Sequence, residues 1–261
     1  MDNKFTHIVM LSGGIGSFFA AKRVIDKAKI SKENVVLLFS DTLIEDDDLY
    51  RFLKDTENYF KIPITYLKDG RNPWEVFFDV KFLGNSRIDP CSRILKRDLL
   101  NSYVRDNFKP EDCIVYLGID WTEEHRMVAV KQNNLPYKYT APLCEEPLLQ
   151  KEQFLDILEN ECKIKRPRLY DLGFKHNNCG GFCIKSGQAQ FRLLLEKFPD
   201  RYKYHEDMEQ KIIKHLGKRV TILRITRDKI KHNITLKEFR EHIEKGGDFD
   251  KYEWGGCGCA V

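Results

Sequence analysis

The segment Ser12-Gly13-Gly14-Ile15-Gly16-Ser17 stands between an apolar run, residues 7–11, and a stretch of helix formers, residues 18–24. Glycines let the backbone turn tightly and approach a ligand closely, so several N–H groups and a helix N-terminus can face one anion. The two serines add hydroxyl donors. Phosphate is the natural occupant, and a plain strand-to-helix turn is the alternative. No Gly-Lys-Ser/Thr closes the segment, so it is not a Walker loop, and it is not a G-x-G-x-x-G dinucleotide fingerprint either.

Further along, Asp41 and Thr42 end a second apolar run, where a carboxylate or hydroxyl can reach a ribose or adenine or hold Mg2+ between phosphates. The acidic residues 45–48 behind them suit the first turn of a helix. In Asp89-Pro90-Cys91-Ser92-Arg93-Ile94-Leu95-Lys96-Arg97, Asp89 reads as an N-cap and Pro90 as the first helical residue. Cys91 then feels the positive helix end and three nearby cations, which favours thiolate, the form that attacks or binds metal. Packing under the next loop is the alternative. Gly118 ends a third apolar run and permits close approach, and Arg126 follows the turn, where guanidinium can clamp a phosphate or sulfate. Cys179-Gly180-Gly181-Phe182-Cys183 is a knuckle whose spacing suits zinc or iron–sulfur ligation, with Cys91 and Cys257 or Cys259 as distant partners. Cys257-Gly258-Cys259, in a Gly-rich tail, is a candidate nucleophile with its resolving thiol; inert exposed thiols are the alternative. Cys113, Cys144 and Cys162 read as structural.

Alternating strands and helices must position these groups. Strands are expected at residues 6–11, 35–40, 64–67 and 113–119, with helices at about 15–29, 46–60 and 91–107. That rhythm predicts an α/β fold, a Rossmann-like, doubly wound, mostly parallel sheet with its ligand crevice at the carboxyl strand ends. Helices at 122–134, 150–162, 186–198 and 203–216, a strand at 220–225 and a capping-box helix from Thr235 form a mainly helical C-terminal elaboration. The division expected is a nucleotide-binding domain over residues 1–175 and a Cys-containing helical region with a flexible tail over 176–261. The 261 residues carry 44 Lys and Arg against 40 Asp and Glu, a net charge of +4, which permits a nucleic-acid partner without requiring one. No apolar run approaches a membrane span and no apolar leader opens the chain, so a cytoplasmic protein without a membrane partner is expected. Eight cysteines there point to metal, redox or catalytic use of the clustered ones.

In order, these segments resemble the PP-loop superfamily, the N-type ATP pyrophosphatases and phosphoadenylyl-sulfate (PAPS) reductases. The loop is similar to their Ser-Gly-Gly-x-Asp-Ser motif, with Gly16 where that family carries Asp. The resemblance implies a HUP-type fold binding ATP or PAPS with Mg2+, and chemistry at the α-phosphate linked to sulfur transfer or nucleobase modification. It implies nucleotide ligands at Ser12, Gly13, Gly14, Gly16, Ser17, Asp41, Thr42, Lys96, Gly118 and Arg126. It implies a [4Fe–4S] cluster or Zn2+ at Cys91, Cys179, Cys183 and Cys257, or no metal, as in other members. Cys91, Cys257 and Cys259 are the catalytic candidates, although the family's tail cysteine stands in a Glu-Cys-Gly-x-His setting that this chain lacks. Reduction of PAPS with a thioredoxin-like partner, and a non-catalytic nucleotide- or RNA-binding module, are the other readings. Oligomeric state is left open.

Overall fold

Apolar side chains at alternate positions on two adjacent strands divide the protein into layers. In β1 (Thr6–Leu11), Val9 and Leu11 join the core on one face while Ile8 joins the core on the other. In β2 (Val35–Asp41), Val35, Leu37 and Phe39 match the first set and Leu38 the second. Strands covered on both faces read as continuous apolar runs, which is why these two are plain in the sequence. The computed structural model describes residues 5–27, 34–85, 88–227 and 230–256. With β3 (Ile64–Lys68), β4 (Cys113–Tyr116) and β5 (Tyr139–Thr140), the strands form a parallel sheet of order β3-β2-β1-β4-β5. The fold is α/β and Rossmann-like, as its strand rhythm predicts. Strand order reverses between β1 and β4, and such a switch point opens a crevice at the carboxyl ends of the strands.

Helix α1 (Ile15–Lys27) and helix α2 (Asp47–Phe60) cover one face. Phe18 packs 5.8 Å from Phe52 and 5.1 Å from Phe60, ring centre to ring centre. Each such ring, fully buried, contributes about 1.5–3 kcal/mol. Asp46 starts α2 by accepting from the Asp48 N–H, and Lys61 ends it in the left-handed conformation. The other face is covered by residues 90–107 and by the helix Arg126–Asn133, through Leu100, Val104, Met127 and Val130. Residues 93–98 of the first form a π-helical turn. The Ser40 hydroxyl hooks onto the Leu95 carbonyl within it, tying the end of β2 to that turn.

A second core draws on both halves of the chain: Trp74, Phe77 and Leu83 pack with Leu169, Phe174, Phe182, Phe191 and Phe239. Helix α3 (Pro73–Asp79), opened by an Asn72–Glu75 capping box, supplies the first two and is absent from the sequence expectations. The helices expected at 186–198 and 203–216 are Gln188–Lys197 and Pro199–Leu216; the second starts earlier because Pro199 occupies its first turn. The helix expected at 150–162 is Lys151–Asp156 followed by a π turn, Ile157–Glu161. The strand expected at 220–225 is β6 (Leu223–Arg227), and it pairs antiparallel with β7 (Ile230–Ile234). β7 carries little periodic signal, since only Ile234 in it is buried. Thr235 and Glu238 make the expected capping box. Asp89 does occupy an N-cap position, but its carboxylate makes no cap bond and faces Arg97 and Lys185 instead, each at 3.8 Å. Among the described residues no helix is long and apolar enough to cross a membrane.

Candidate functional site

The loop at residues 12–17 sits at the carboxyl end of β1, at the switch point. The Ser17 hydroxyl donates to the Gly14 carbonyl at 2.9 Å and accepts from the Ser12 N–H at 3.0 Å, so the two serines brace the turn internally. Gly13 has φ +75°, and a Cβ there would also lie 2.6 Å from the Leu49 side chain. A Cβ on Gly16 would come within 2.8 Å of the Gly118 carbonyl oxygen, and one on Gly118 within 2.5 Å of the Ser17 nitrogen. Loop and β4 end therefore touch backbone to backbone. Any side chain on Gly16, aspartate included, would wedge the two apart.

Two later residues grip the loop from above. The Asn177 amide donates to the Gly13 carbonyl at 2.8 Å, and the Ile15 N–H donates to the Tyr170 hydroxyl at 3.4 Å, a long bond that an anion could displace. The Phe18 N–H donates across the start of α1 to the Gly14 carbonyl, and the amides ahead of it lack the carbonyl partner four residues back that a helix interior supplies, Ile15 turning to Tyr170 instead.

Two hollows flank the loop and share Ser12, Ser17 and Gly118. A cleft of about 170 Å3 is lined by the loop, Asp120, Glu123, Arg126, Lys151 and Lys175, among others. In it, Arg126 gives one guanidinium nitrogen to Glu123 at 2.7 Å, while its Nη2 is buried with no hydrogen-bond partner. A guanidinium N–H without an acceptor is costly, and an anion in the cleft would satisfy it. Lys151 donates to the Lys175 carbonyl at 2.8 Å and lies 4.5 Å from the Tyr170 ring centre; burial lowers its pKa. A largely apolar hollow of about 70 Å3 lies on the other side, lined by Leu11, Ser40, Lys96, Leu100, Asn101, Leu117 and Tyr139, among others. An anion cleft joined to an apolar hollow through a glycine loop can take a phosphorylated molecule with a flat apolar group.

Beyond Lys96 a third, smaller hollow of about 20 Å3 is lined by Cys91, Cys179 and Cys183 together with Thr42, Asp89, Lys96 and Lys185. Three of the expected cysteine ligands thus face one pocket. Cys179, Gly180 and Gly181 run consecutively at φ +52°, +59° and +87°, a curl that only the glycines adopt without strain. Glu45 is what holds that curl. Its buried carboxylate accepts from the Thr42 hydroxyl at 2.9 Å, from the Lys96 ammonium at 3.3 Å and from the Cys179 N–H. Asp46, also buried, binds Arg168 at 2.7 Å and Arg201 at 3.1 Å, and Arg201 reaches the Gly180 carbonyl. Among the described residues, no three His, Cys, Asp or Glu side chains converge as metal ligands do. The donor set and the curled backbone suit thiolate ligation, while the side chains are not drawn together around a centre.

The expected nucleotide residues Ser12, Gly14, Gly16, Ser17, Gly118 and Arg126 meet in the anion cleft. Lys96 lies between the apolar hollow and the cysteine pocket, and Thr42 belongs to the latter. Asp41 lines none of these three hollows; its Oδ1 accepts from the Leu43 N–H and the Tyr50 hydroxyl, both at 2.8 Å. Cys257 and Cys259 lie outside the described residues. Gly256, just before them, donates its N–H to the Lys185 carbonyl at 3.3 Å. Lys151, Lys175, Tyr170 and Glu45 were not signalled by any motif. Cys113 and Cys162 are buried, and burial with nearby carboxylates pushes the Cys144 thiol up to about 11, as befits structural thiols.

No family model matches the chain, and no curated protein does. Among solved structures it is similar to the U34-tRNA thiolase NcsA from Methanococcus maripaludis with its [4Fe-4S] cluster. Identity is 16%, covering 83% of this chain and 72% of that one, with a TM-score of 0.43. It is also similar to the NH3-dependent NAD synthetase from Campylobacter jejuni subsp. jejuni in complex with the nitrate ion. Identity is 14%, covering 94% of this chain and 88% of that one, with a TM-score of 0.42. Likeness at this level transfers neither activity nor ligand to this chain.

Proposed function

We propose that this chain is a PP-loop enzyme of the PAPS reductase-like kind that binds an adenine nucleotide, ATP or PAPS, and acts at its α-phosphate in a sulfur-transfer or nucleobase-modification reaction. The observation that carries the reading is the buried, unpartnered Nη2 of Arg126 in the cleft beside the glycine loop. Loop amides at Gly13, Gly14, Gly16 and Ser17 cradle phosphate with the Ser12 hydroxyl. Arg126, Lys151 and Lys175 neutralise its charge. Adenine or ribose enters the apolar hollow between Ser40 and Tyr139. Asp120 and Glu123 are the carboxylates of the cleft and would hold Mg2+ there.

Cys91, Cys179 and Cys183 would hold a [4Fe–4S] cluster or Zn2+, with Cys257 as the further thiol; Cys91, Cys257 and Cys259 are the thiols that would act on sulfur. When held by three of these cysteines rather than four, an iron–sulfur centre would supply a thiophilic iron site able to carry sulfur. The residues around it act without it: Glu45 fixes the Cys179 amide and the Lys96 ammonium, and the curl of residues 179–181 keeps both knuckle thiols on one side. The test is release of pyrophosphate from ATP by anaerobically purified protein, with iron measured in the same preparation. Pyrophosphate release lost in Arg126→Ala supports the proposal. Nucleotide binding without turnover would favour the non-catalytic reading, and sulfite release from PAPS with a thioredoxin-like donor would favour reduction.

A further inference from the structure

A fourth hollow adjoins the cysteine pocket at Lys185. It is an open cleft of about 540 Å3 walled by Phe82, Leu83 and Asn85, by residues 185–188, by residues 219–224 with Thr226, Lys231 and Asn233 of the β6–β7 hairpin, and by Asp250, Glu253 and Gly255. Lys185 lines both this cleft and the cysteine pocket, as Lys96 lines both the cysteine pocket and the apolar hollow. Nucleotide crevice, thiols and open cleft are therefore consecutive. The strap that closes the cleft is anchored where Gly187 and Ala189 donate to the Trp254 and Glu253 carbonyls.

The chemistry of the walls is uneven. Lys185, Arg219, Arg224 and Lys231 face two carboxylates, Asp250 and Glu253, and Glu253 already accepts from the Gln188 amide at 2.7 Å. Arg219 is held by Glu238 at 2.7 Å and Lys185 faces Asp89 at 3.8 Å, which leaves Arg224 and Lys231 as the cations turned to the cleft. They stand at the edge of a basic tract: residues 211–231 contain eight Lys or Arg and one Asp, in a chain whose net charge is only +4. Lys211, Lys214, Lys218, Arg224 and Lys231 are exposed. Asn233 adds an amide side chain with a donor and an acceptor, whereas the Gln188 amide is taken up by the Arg224 carbonyl, Glu253 and the Asp250 N–H, and the Asn85 oxygen accepts from the Ile88 N–H. Phe82, 37% exposed, adds an aromatic ring to the wall, and Tyr252, 92% exposed, stands beside it on the strap, between the wall residues Asp250 and Glu253. Cations, an amide and exposed rings together match what an unpaired nucleic-acid strand presents: phosphates, base edges and base faces. An acidic peptide would use the cations but leave the rings and the amide idle.

We propose that this cleft is the acceptor site and that it takes a single-stranded nucleic-acid segment, led past Lys185 toward the cysteine pocket. The proposal rests on the reading of the loop as the nucleotide site of a nucleobase-modifying enzyme, and it names that reaction's second substrate class.

Fluorescence anisotropy with labelled 20-nucleotide single-stranded RNA and DNA tests it on the full-length protein, beside the matching duplex and polyglutamate of equal charge. Single strands are expected to bind tighter than duplex or polyglutamate, with an affinity that falls steeply with salt. Arg224→Glu with Lys231→Glu is expected to weaken binding about tenfold or more, and Tyr252→Ala about fivefold. Lys54→Glu, an exposed charge reversal on α2, is expected to leave it unchanged. ATP binding by the hairpin double variant, measured in parallel, is expected to match wild type. Equal affinity for polyglutamate, or strand binding untouched by the hairpin reversals, overturns the acceptor site whatever the loop does. Strand binding that behaves as expected in a protein that ignores ATP overturns the nucleotide reading and leaves the cleft standing as a nucleic-acid site.

Discussion

The glycine loop and the cysteine knuckle lie close to each other across Glu45 and Lys96, yet they are held by opposite means. The loop is held by what is missing: Gly16 and Gly118 have no Cβ, so backbone meets backbone, and Leu49 fills the space above Gly13. The knuckle is held by buried charge, with Glu45 and Asp46 tied to Lys96, Arg168 and Arg201 and through them to residues 179 and 180. A contact made by absence is geometrically rigid and indifferent to pH. A scaffold of buried ions is costly to build and fails when one partner is lost, because the other is left uncompensated.

The largest effect should therefore come from Glu45→Ala, which leaves the Lys96 ammonium buried beside a lost partner. We expect a stability loss of about 3–5 kcal/mol in urea unfolding. Glu45→Ala together with Lys96→Met should recover much of it, and a loss below 1 kcal/mol would mean that the ion pair is not what holds the knuckle.

A second contrast is in pH response, and it lies in the charge-rich C-terminal region. Glu209 is buried and accepts the Ile222 and Leu236 N–H groups, and burial pushes its carboxyl up to about 7. Its folded pKa lies above the unfolded value of 4.5, so the stability it contributes is full below that value and falls as pH rises toward 7. His205, buried against Phe182 with Nδ1 accepting from the Trp74 indole at 2.9 Å, is held down at about 3. Its sign is opposite: stability present above 6.5 is lost as pH falls. Between 4.5 and 6.5 the two oppose each other. In Glu209→Gln only the histidine remains, so its stability should rise over that interval relative to wild type. The destabilisation caused by the substitution should shrink by about 3 kcal/mol between pH 4.5 and 7. A difference independent of pH would contradict this assignment.

On the loop side, Gly118→Ala should destabilise by about 1–3 kcal/mol, since the added methyl meets backbone rather than a movable side chain. Displacing the loop by a fraction of an ångström should cost nucleotide turnover about a hundredfold. Gly16→Asp, which would install the aspartate of the motif that the loop resembles, should behave the same way rather than gain activity, because the Gly118 carbonyl stands where its Cβ would go.

The same contrast decides what could be read from the amino acids. Glycines forced by close approach are visible, and so is a Cys-Gly-Gly-x-Cys curl; both were found with their places in the fold. The central strands show as apolar runs because they are buried on both faces, whereas their order comes from the structure. Glu45 is hidden in the sequence because a run of four acidic residues before a helix is explained by the helix dipole, and Asp46, Asp47 and Asp48 do occupy the cap and first turn of α2 while Glu45 does not. Lys151, Lys175 and Tyr170 carry no motif; they belong to the cleft because the chain folds back over the loop. β7 does not show in the sequence because four of its five side chains face solvent, so no period appears. The strand-end position of Asp41 suggests a ribose or metal ligand; in the structure its carboxylate accepts from the Leu43 N–H and the Tyr50 hydroxyl.

Calorimetric titration of ATP into wild-type protein and into Arg126→Ala addresses the central claim directly. A single-site heat in wild type, with affinity at least about tenfold weaker in the variant, is the expected result, equivalent to the loss of a charge-assisted hydrogen bond. No heat from ATP or PAPS in wild type, or equal affinity in both proteins, would contradict it.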